Sequence, residues 1–373
     1  MTVTALDPAA LVPMEVGERL ARLRGSLAED GIEALLVTHM VNVRYLTGFT
    51  GSAATLLVRP DDALFVTDGR YRDQSGEQLA AAGVAARVEI GLTQAAQREL
   101  LAEAAVGLAD LGLEENHVSW ARERELAEAF PGVALVPAGS PVEELRRVKD
   151  LGEIDRIRAA CAIADDAFHS LLGRLAEGVT ERQFALELEF AMRERGASGV
   201  SFESIVAAGP NGAKPHAEPS DRLIGRGELV VCDFGCIVEG YCSDMTRTVS
   251  VGDPGPEARA LYDLVQRSQA AGRDAVAAGV VVADVDRAAR DVIAAAGHGE
   301  HFVHSTGHGV GLDIHEAPRV AAGAGDTLRP GEVVTVEPGV YLTGVGGVRI
   351  EDTVVVTESG CEPLTHTPKD LIL

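Results

Sequence analysis

The N-terminal part of the chain alternates between helical and extended hydrophobic patterns. Apolar residues recur every three or four positions over Glu15–Asp30, which predicts an amphipathic helix. The segment "IEALLVT" then predicts a buried strand, and "ATLLVRPDDALFVTDGRY" predicts a hairpin that turns at "RPDD". Helical patterns return over Gln94–Val106 and Trp120–Ala129. We therefore predict a smaller α/β domain over residues 1–140, which ends at the Pro- and Gly-rich stretch "PGVALVPAGSP".

Helical and strand patterns occur twice in the same order over residues 141–373. A long charged segment, "VEELRRVKDLGEIDRIRAACAIADDAFHSLL", predicts one helical region, and further helical patterns lie at Thr180–Arg195 and Glu257–Ala278. Thr180 and Gln183 have the spacing of a capping box. The strand patterns form two pairs, Leu229–Val238 with Tyr241–Val251 and Val333–Leu342 with Gly347–Thr357. The repeated order predicts an α+β domain with two duplicated helix–hairpin halves.

The composition narrows the classes of function. A chain of 373 residues is long for a single hydrophobic core, which favours two domains. Its formal net charge of −24 argues against nucleic acid or an anionic membrane as a partner, because both require clustered Lys and Arg. There is no secretory leader pattern and no apolar run of membrane-spanning length, so we expect a cytoplasmic protein.

Three of the five cysteines lie close together in the sequence. Cys232, Cys236 and Cys242 raise the alternative of a thiolate-bound zinc ion. Their surroundings alternate like two strands, however, and cysteine in a strand commonly packs as a small hydrophobic residue. The packing interpretation is favoured.

Two aspartates interrupt the first strand pair. Asp233 and Asp244 lie at equal distances from the predicted turn at Val238–Gly240, so antiparallel pairing is expected to place them face to face. Opposed carboxylates repel each other unless a proton or a cation lies between them. A position on the solvent side of the hairpin is the alternative, but aspartate is disfavoured in strands.

The second strand pair carries two glutamates in a similar arrangement. Glu337 follows a Val-rich strand and Glu351 lies inside another, with the turn "TGVGG" between them. Four carboxylates in one interior require multivalent cations, and His308 in "GHGVG" adds a neutral fifth ligand. This hard ligand set favours Mn²⁺, Co²⁺ or Fe²⁺ over structural zinc. Two such ions about 3.5–4 Å apart can activate a water and stabilise an oxyanion, which is hydrolase chemistry.

These blocks resemble a known family. "DFGCIVEGYCSDMTRT", "HSTGHGVGLDIHEAPR", "TVEPGVY" and "GVRIEDTVVV" are similar to the signature segments of the creatinase/prolidase/methionine-aminopeptidase family of pita-bread metallopeptidases, family M24. "NVRYLTGFTGS" and "TDGRY" resemble the N-terminal domain of prolidases, aminopeptidases P and creatinases. The resemblance spans about residues 15–365 and implies a pita-bread catalytic domain with pseudo-twofold halves after a creatinase-type α/β domain.

The resemblance also implies the roles of the metal ligands. It implies that Asp233 binds one ion alone, that Asp244 and Glu351 bridge two ions, and that His308 and Glu337 hold the second. The expected cofactor is two divalent ions, with Mn²⁺ favoured and Co²⁺, Fe²⁺ or Zn²⁺ as alternatives.

Further residues receive catalytic and substrate-binding roles in the same way. Glu337 is expected to carry a proton, His216 to lie beside the nucleophile, and His315 to stabilise the tetrahedral intermediate. His304 is expected to line the substrate pocket, and Arg319 matches an arginine that pairs with a dipeptide's carboxylate.

Some residues near these segments have weaker or no assignments. Arg349 lies two residues before Glu351 on the same strand face, where it could orient a ligand, and we count it with the substrate-binding residues. His298 and His301 receive no role.

The function closest to these blocks is that of a bacterial Xaa-Pro dipeptidase acting on small peptides. Aminopeptidase P, which removes the residue before proline from longer peptides, is the alternative, and a non-enzymatic binding protein on the same fold is more remote. Creatinase chemistry is disfavoured because those members lose metal ligands that are intact here. The family often pairs through its N-terminal domain, which implies a homodimer.

Overall fold

The computed structural model describes residues 7, 10–175 and 178–372. Backbone contacts divide the chain into two compact units. One unit spans Met14–Arg146, and the other comprises Arg147–Leu373 with the described residues before Met14. The division at Arg146 lies a few residues after the predicted boundary at residue 140. Within the part of the chain that the structure describes, no helix is long and apolar enough to cross a membrane.

The N-terminal unit is an α/β domain around one mixed six-stranded sheet with the order β4-β3-β2-β1-β5-β6. Its strands are β1 (Leu35–Val37), β2 (Ala54–Val58), β3 (Ala63–Thr67), β4 (Arg87–Ile90), β5 (Asp110–Leu113) and β6 (Ala134–Pro137). Its helices are α1 (Arg19–Glu29), α2 (Met40–Thr47), α3 (Arg72–Ala81), α4 (Gln94–Ala104), α5 (Trp120–Ala129) and α6 (Pro141–Arg147), which ends at the boundary. The predicted hairpin is confirmed, because β2 and β3 pair antiparallel on either side of "RPDD".

The helical region predicted after residue 141 is present, but it is divided into two helices. The chain leaves α6 and enters α7 (Leu151–Leu171) after a break at 148–150. Val148 forms a β-bridge with Glu332 there, and the Asp150 side chain caps α7 in a capping box with Glu153. A capped N-terminus starts a new helix because its side chains satisfy the first free backbone amides.

The C-terminal unit consists of two similar halves. The first half contains α7, α8 (Glu181–Glu194), β7 (Gly199–Val200), β8 (Ile205–Ala208), β9 (Leu229–Phe234), β10 (Cys236–Val238), β11 (Tyr241–Cys242) and β12 (Met245–Ser250). The second contains α9 (Pro256–Asp274), α10 (Val282–Ala295), β13 (Gly307–Gly309), β14 (Glu316–Val320), β15 (Val333–Val336), β16 (Gly339–Leu342), β17 (Gly346–Arg349), β18 (Asp352–Thr357) and β19 (Gly360–Pro363).

The sheet topology confirms the predicted duplication. The first half has the strand order β12-β9-β8, and the second contains the corresponding order β18-β15-β13 within a five-stranded sheet. Each half carries a helix pair before its hairpin, and each hairpin is interrupted in the middle, between β9 and β10 and between β15 and β16. The capping box of Thr180 and Gln183 at the start of α8 is present as predicted.

The clustered cysteines belong to the core of the first half. Cys232 and Cys236 are fully buried, Cys242 is nearly so, and all three are free thiols. Burial raises the pKa of Cys236 and of Cys242 to about 12, as expected for thiols packed in an apolar interior. The packing interpretation is confirmed.

Candidate metal centre

Four buried or nearly buried carboxylates converge on one cavity of about 570 Å³ in the C-terminal unit. Each of them lies at or next to an interruption of a hairpin strand. Asp233 is the fifth residue of β9 and Asp244 directly precedes β12, while Glu337 directly follows β15 and Glu351 directly precedes β18. All four side chains line the same cavity.

The predicted face-to-face pairing of Asp233 and Asp244 is wrong. Asp233 is opposite Thr246, because the hairpin turns at Glu239–Gly240 and Val238 pairs with Tyr241. Asp244 lies two residues before Thr246 and is therefore a diagonal neighbour of Asp233 on the same face, within reach of the same cavity.

The glutamates of the second hairpin are aligned more directly. Val336 pairs with Asp352, and Gly339 pairs with Arg349. Continuing this register across the interruption places Glu337 opposite Glu351, as the sequence led us to expect. The two halves of the domain thus contribute one carboxylate pair each.

His308 approaches the carboxylates from β13. Its Nδ1 lies 3.0 Å from the carbonyl oxygen of Gly309 and donates a hydrogen bond to it, because a carbonyl oxygen can only accept. Nε2 is then the unprotonated nitrogen of the neutral ring, and it lies 3.5 Å from Asp244 Oδ2 and 3.3 Å from Glu337 Oε1. A histidine whose second nitrogen is held by a backbone carbonyl is oriented for metal binding.

Glycine on both sides of His308 allows its strand to pack this closely. A Cβ at Gly307 would lie 2.0 Å from the carbonyl oxygen of Thr335, and one at Gly309 would lie 2.3 Å from that of Ala317. Any larger residue at either position would push β13 away from its neighbours. The "GHG" segment is therefore a steric requirement for placing the imidazole.

The donor set fits divalent cations. Asp233 Oδ1 and Glu351 Oε1 are buried and accept no hydrogen bond from any described residue. One ligand atom from each of Asp244, His308 and Glu351 lies within 4.8 Å of the others. Buried carboxylate oxygens without donors are costly unless a cation neutralises them, so the arrangement indicates a metal site.

Without a cation the carboxylates disturb one another's protonation. Burial and then the negative charge of Glu351 raise the pKa of Asp244 well above its usual value. Burial and then the charge of Glu337 likewise raise the pKa of Glu351. Burial alone would raise the pKa of Glu337 too, but in the metal-free site a protonated His308 ring lowers it overall, through its hydrogen bond to Glu337 and its charge. The same contact raises the pKa of His308 despite burial.

Arg349 holds one of the carboxylates from behind. Its Nη2 donates to Asp233 Oδ2 at 2.6 Å, and its Nε donates to Thr246 Oγ1 at 3.0 Å. Its Nη1 donates to the hydroxyl of Tyr341 at 2.7 Å and to the carbonyl of Pro215 at 3.1 Å. All three guanidinium nitrogens are thus engaged by protein groups, and the side chain is almost completely buried.

Tyr341 links Arg349 to His304. The tyrosine hydroxyl lies 2.9 Å from His304 Nε2, while His304 Nδ1 lies 2.8 Å from the carbonyl of Ser305. The carbonyl of Ser305 can only accept, so Nδ1 carries the proton of the neutral ring. Nε2 then accepts a hydrogen bond from the hydroxyl of Tyr341. Burial lowers the pKa of His304, which favours the neutral ring that this chain of hydrogen bonds needs.

Three of the predicted residues are exposed at the cavity wall. His216, His315 and Arg319 line the cavity and are more open to solvent than the carboxylates. The His315 ring lies 4.4 Å from that of His308, edge to face. Partial burial and then the neighbouring His308 lower the pKa of His315, so it is neutral near pH 7. Arg319 pairs with His308 across β13 and β14.

All ten predicted site residues line this one cavity, and the two histidines without a role do not. Sequence reasoning missed three hydrogen-bonding residues. Thr246 Oγ1 donates to Glu351 Oε2 at 2.7 Å, Thr335 Oγ1 donates to Glu337 Oε1 at 3.1 Å, and Tyr341 bridges Arg349 and His304. Thr335 and Thr246 each lie two residues from a ligand, so the period of two along a strand could have found them.

Comparison with known proteins agrees with this geometry. Residues 155–358 match the description "Metallopeptidase family M24", and residues 19–148 match "Creatinase/Prolidase N-terminal domain". The chain is 34% identical to an Xaa-Pro dipeptidase of Pyrococcus furiosus over 95% of its own length and 99% of that protein's.

Two solved structures are similar over nearly the whole chain. An Xaa-Pro dipeptidase from Bacillus anthracis is 40% identical with a TM-score of 0.91, covering 96% of this chain and 100% of the other. An X-Pro aminopeptidase from Thermotoga maritima is 35% identical with a TM-score of 0.86, covering 94% and 100%.

Proposed function

The chain belongs to metallopeptidase family M24, and on that basis we propose that it hydrolyses the peptide bond before proline in dipeptides, as an Xaa-Pro dipeptidase. The observation that carries this proposal is the set of four carboxylates and one imidazole converging beside Arg319 in one cavity. The similarity to proteins named Xaa-Pro dipeptidase supports the substrate class.

We propose that two divalent ions occupy the site, with Mn²⁺ preferred and Co²⁺, Fe²⁺ or Zn²⁺ as alternatives. Asp233 would hold one ion, His308 and Glu337 the other, and Asp244 with Glu351 would bridge them. The predominance of carboxylate oxygens over nitrogen and sulfur supports Mn²⁺. When bound, such ions supply a water of lowered pKa and positive charge opposite a developing oxyanion.

Glu337 is the proposed proton carrier. A general base must lie within hydrogen-bonding reach of the proton that it takes, and Glu337 combines a cavity position with a lowered pKa, so it is ionised at neutral pH. Thr335 donates to one of its oxygens at 3.1 Å and so orients the carboxylate. Glu337 would accept the proton of the attacking water and pass it to the leaving nitrogen.

Three histidines of the cavity wall are proposed to contact or face the substrate. His315 would donate a hydrogen bond to the oxygen of the scissile carbonyl as negative charge develops there. His216 would lie beside the nucleophile on the leaving-group side. His304 would line the pocket, where its contact with Tyr341 holds the ring in one orientation. Arg349 would orient Asp233, because its donors are already engaged.

The cavity also has the walls that proline requires. Apolar side chains line it together with the charged groups, namely Phe202, Ile205, Pro215, Ala217 and Ile314. The ring of a proline residue is apolar and its tertiary amide has no N–H, so an apolar wall suits it better than a hydrogen-bonding one.

Arg319 is the proposed contact for the C-terminal carboxylate of a dipeptide. Its side chain is exposed at the cavity wall, and no described residue forms an ion pair with it. A planar guanidinium binds a carboxylate through two parallel hydrogen bonds. A longer peptide carries its carboxylate further away, so this contact would favour dipeptides.

Aminopeptidase P activity is the second candidate. It is favoured by the similarity to the Thermotoga maritima protein named X-Pro aminopeptidase, which has the same fold over 94% of this chain. We further propose a creatinase-type domain over residues 1–140, a catalytic domain over 141–373, and a cytoplasmic homodimer paired through the N-terminal domain. The five free cysteines support a reducing compartment.

One assay separates the candidates. Purified protein loaded with Mn²⁺ is given Ala-Pro and Ala-Pro-Ala at equal concentrations, and kcat/KM is measured for each. A dipeptidase cleaves Ala-Pro with the larger kcat/KM, whereas aminopeptidase P cleaves the tripeptide at least as well. If neither peptide is cleaved, a non-enzymatic binding protein replaces both candidates.

A further inference from the structure

One wall of the cavity is a loop whose two ends converge on a single buried carboxylate. The chain leaves β8 at Ala208 and enters β9 at Leu229, and the consecutive residues 215–219 of this loop line the cavity. His216 lies at its centre. A histidine in an exposed loop acts reproducibly on a substrate only if the loop itself is held in place.

Glu181 contacts both ends of the loop segment 208–220. Its Oε1 accepts from the backbone N–H of Ala208 at 2.8 Å, and its Oε2 accepts from the backbone N–H of Ser220 at 3.1 Å and from Ser220 Oγ at 2.6 Å. Asn211 Nδ2 lies 3.2 and 3.0 Å from the two oxygens. One carboxylate therefore receives donors from residues twelve positions apart in sequence.

Because Glu181 is buried, its carboxylate requires the hydrogen bonds that the loop donates. Glu181 has no exposed surface, and its carboxylate accepts hydrogen bonds from the neutral loop residues Ala208, Asn211 and Ser220. A buried carboxylate is tolerated only when its lone pairs are satisfied, so the charge and the loop conformation require each other. Moving either end of the loop would leave part of the charge without a donor.

The helix that carries Glu181 also forms backbone hydrogen bonds with the C-terminal end of the loop. Glu181 is the first residue of α8, and its backbone N–H donates to the carbonyl of Arg222 at 3.1 Å. The next N–H, from Arg182, donates to the carbonyl of Ser220 at 3.0 Å. The loop thus rests on the first turn of a helix that the capping box holds rigid.

The middle of the loop is attached to the metal centre. Arg349 donates to the carbonyl of Pro215 at 3.1 Å, directly before His216, and the same guanidinium holds Asp233. With both ends fixed by Glu181 and one central point fixed by Arg349, His216 has little freedom relative to the carboxylates.

We propose that Glu181 is a positioning residue for catalysis, which fixes the loop 208–220 so that His216 faces the substrate. The expected effect on kinetics rests on the proposed peptidase function. The expected effect of Glu181 on the loop conformation does not depend on that function. Glu181 is not among the residues that line the cavity, and its carboxylate bonds to the loop instead of to the metal-binding residues.

The test uses Glu181→Gln in the full chain, measured by amide hydrogen exchange and by kinetics on Ala-Pro with Mn²⁺. Glutamine has the same shape but only one acceptor oxygen, so it cannot satisfy both ends of the loop. We expect faster exchange at 208–220, unchanged Mn²⁺ affinity by calorimetry, and a kcat/KM about tenfold lower, as is typical when a supporting partner is lost.

A double-variant cycle shows whether the effect passes through His216. If Glu181 acts by placing that ring, Glu181→Gln lowers kcat/KM in the wild-type background but not in a His216→Ala background. Equal losses in both backgrounds would overturn the proposal, as would unchanged exchange at 208–220. If the wild type cleaves no Xaa-Pro peptide, the proposed function fails, and the exchange result alone still decides whether Glu181 fixes the loop.

Two further variants keep the test interpretable. Ser220→Ala removes one donor and is expected to have the same effects to a smaller degree if Glu181→Gln does not fold. Glu332→Gln is the matched control, since Glu332 is an equally buried carboxylate that binds Arg147 and Arg329 instead of the loop. It should leave exchange at 208–220 and kcat/KM unchanged.

Discussion

Arg349 donates to one oxygen of Asp233 at 2.6 Å, while the other oxygen of that carboxylate is buried and receives no hydrogen bond from the described residues. The two oxygens therefore have different environments, one bound to protein and the other directed into the metal site. A ligand fixed in this way before a cation arrives loses little freedom on binding it.

Replacement of Arg349 by lysine tests whether this contact prepares Asp233 for metal binding. Lysine keeps the charge but cannot reach Asp233, Thr246 and Tyr341 together, because it has one nitrogen in place of a planar fork. We expect the affinity for Mn²⁺ to fall by about 10- to 100-fold, measured by calorimetric titration of chelator-treated protein. Unchanged affinity would show that Asp233 does not depend on this contact.

Tyr341→Phe tests the link between the metal centre and His304. The change removes the hydroxyl and leaves His304 Nε2 without its donor, a loss that costs about 1–3 kcal/mol of stability for a buried group. Thermal or denaturant unfolding of the metal-loaded protein measures this cost. Burial raises the pKa of Tyr341 to about 12, so the hydroxyl stays protonated in the working range, and the effect should not vary between pH 6 and pH 9.

The metal-free protein should become less stable as the pH rises, relative to the loaded protein. Burial and mutual repulsion raise the pKa values of Asp244 and Glu351 above their unfolded values. The stability that these two protonated carboxyls contribute is therefore fully present below their unfolded pKa. It is lost as the pH rises through their folded pKa. Cations remove this penalty by pairing with the ionised forms and displacing protons.

Thermal unfolding with and without Mn²⁺ measures this effect. The increase in Tm caused by Mn²⁺ should be larger at pH 8 than at pH 6. The comparison at each pH cancels contributions of opposite sign from groups far from the site, such as Asp62 in the N-terminal unit, whose pKa is lowered by its hydrogen bond from Arg59. An increase in Tm that is independent of pH would contradict the expected burial of ionised carboxylates.

Arg319→Met should discriminate between substrates with and without a free carboxylate. We expect KM for Ala-Pro to rise by roughly tenfold, since a hydrogen bond to a charged group contributes about 1.5–3 kcal/mol and part of this is lost to solvent. KM for the amide Ala-Pro-NH2 should change little, which makes it the matched control. Equal increases for both substrates would assign Arg319 a role other than carboxylate recognition.

The two hairpins show how far the sequence alone could predict the site. The turn "TGVGG" between two strands was enough to expect that Glu337 and Glu351 converge, and the observed register places them opposite each other. The equal spacing assumed for Asp233 and Asp244 was wrong, because the hairpin turns at Glu239–Gly240 and this register pairs Asp233 with Thr246. A one-residue error in a turn changes every facing pair, and nothing in the alternation of the strands reveals it.

Long-range partners were the other gap. The break between α6 and α7 was not predicted, because it includes the bridge from Val148 to Glu332, which lies more than 180 residues away in sequence. Tyr341 was likewise hidden, since an apolar strand with one tyrosine gives no sign that its hydroxyl meets an arginine and a histidine. Ligand types with characteristic spacing could be predicted, whereas the residues that orient them depend on tertiary contacts.

The most direct test of metal-dependent hydrolysis at this site is the turnover of Ala-Pro before chelation, after removal of metal, and after return of Mn²⁺. The variants Asp233→Asn and His308→Ala are measured alongside the wild type. Wild-type turnover should disappear on chelation, return as about two Mn²⁺ ions per chain are bound, and be absent from both variants at the same Mn²⁺ concentration. Turnover that survives complete removal of metal, or that persists in either variant, would contradict metal-dependent hydrolysis at this site.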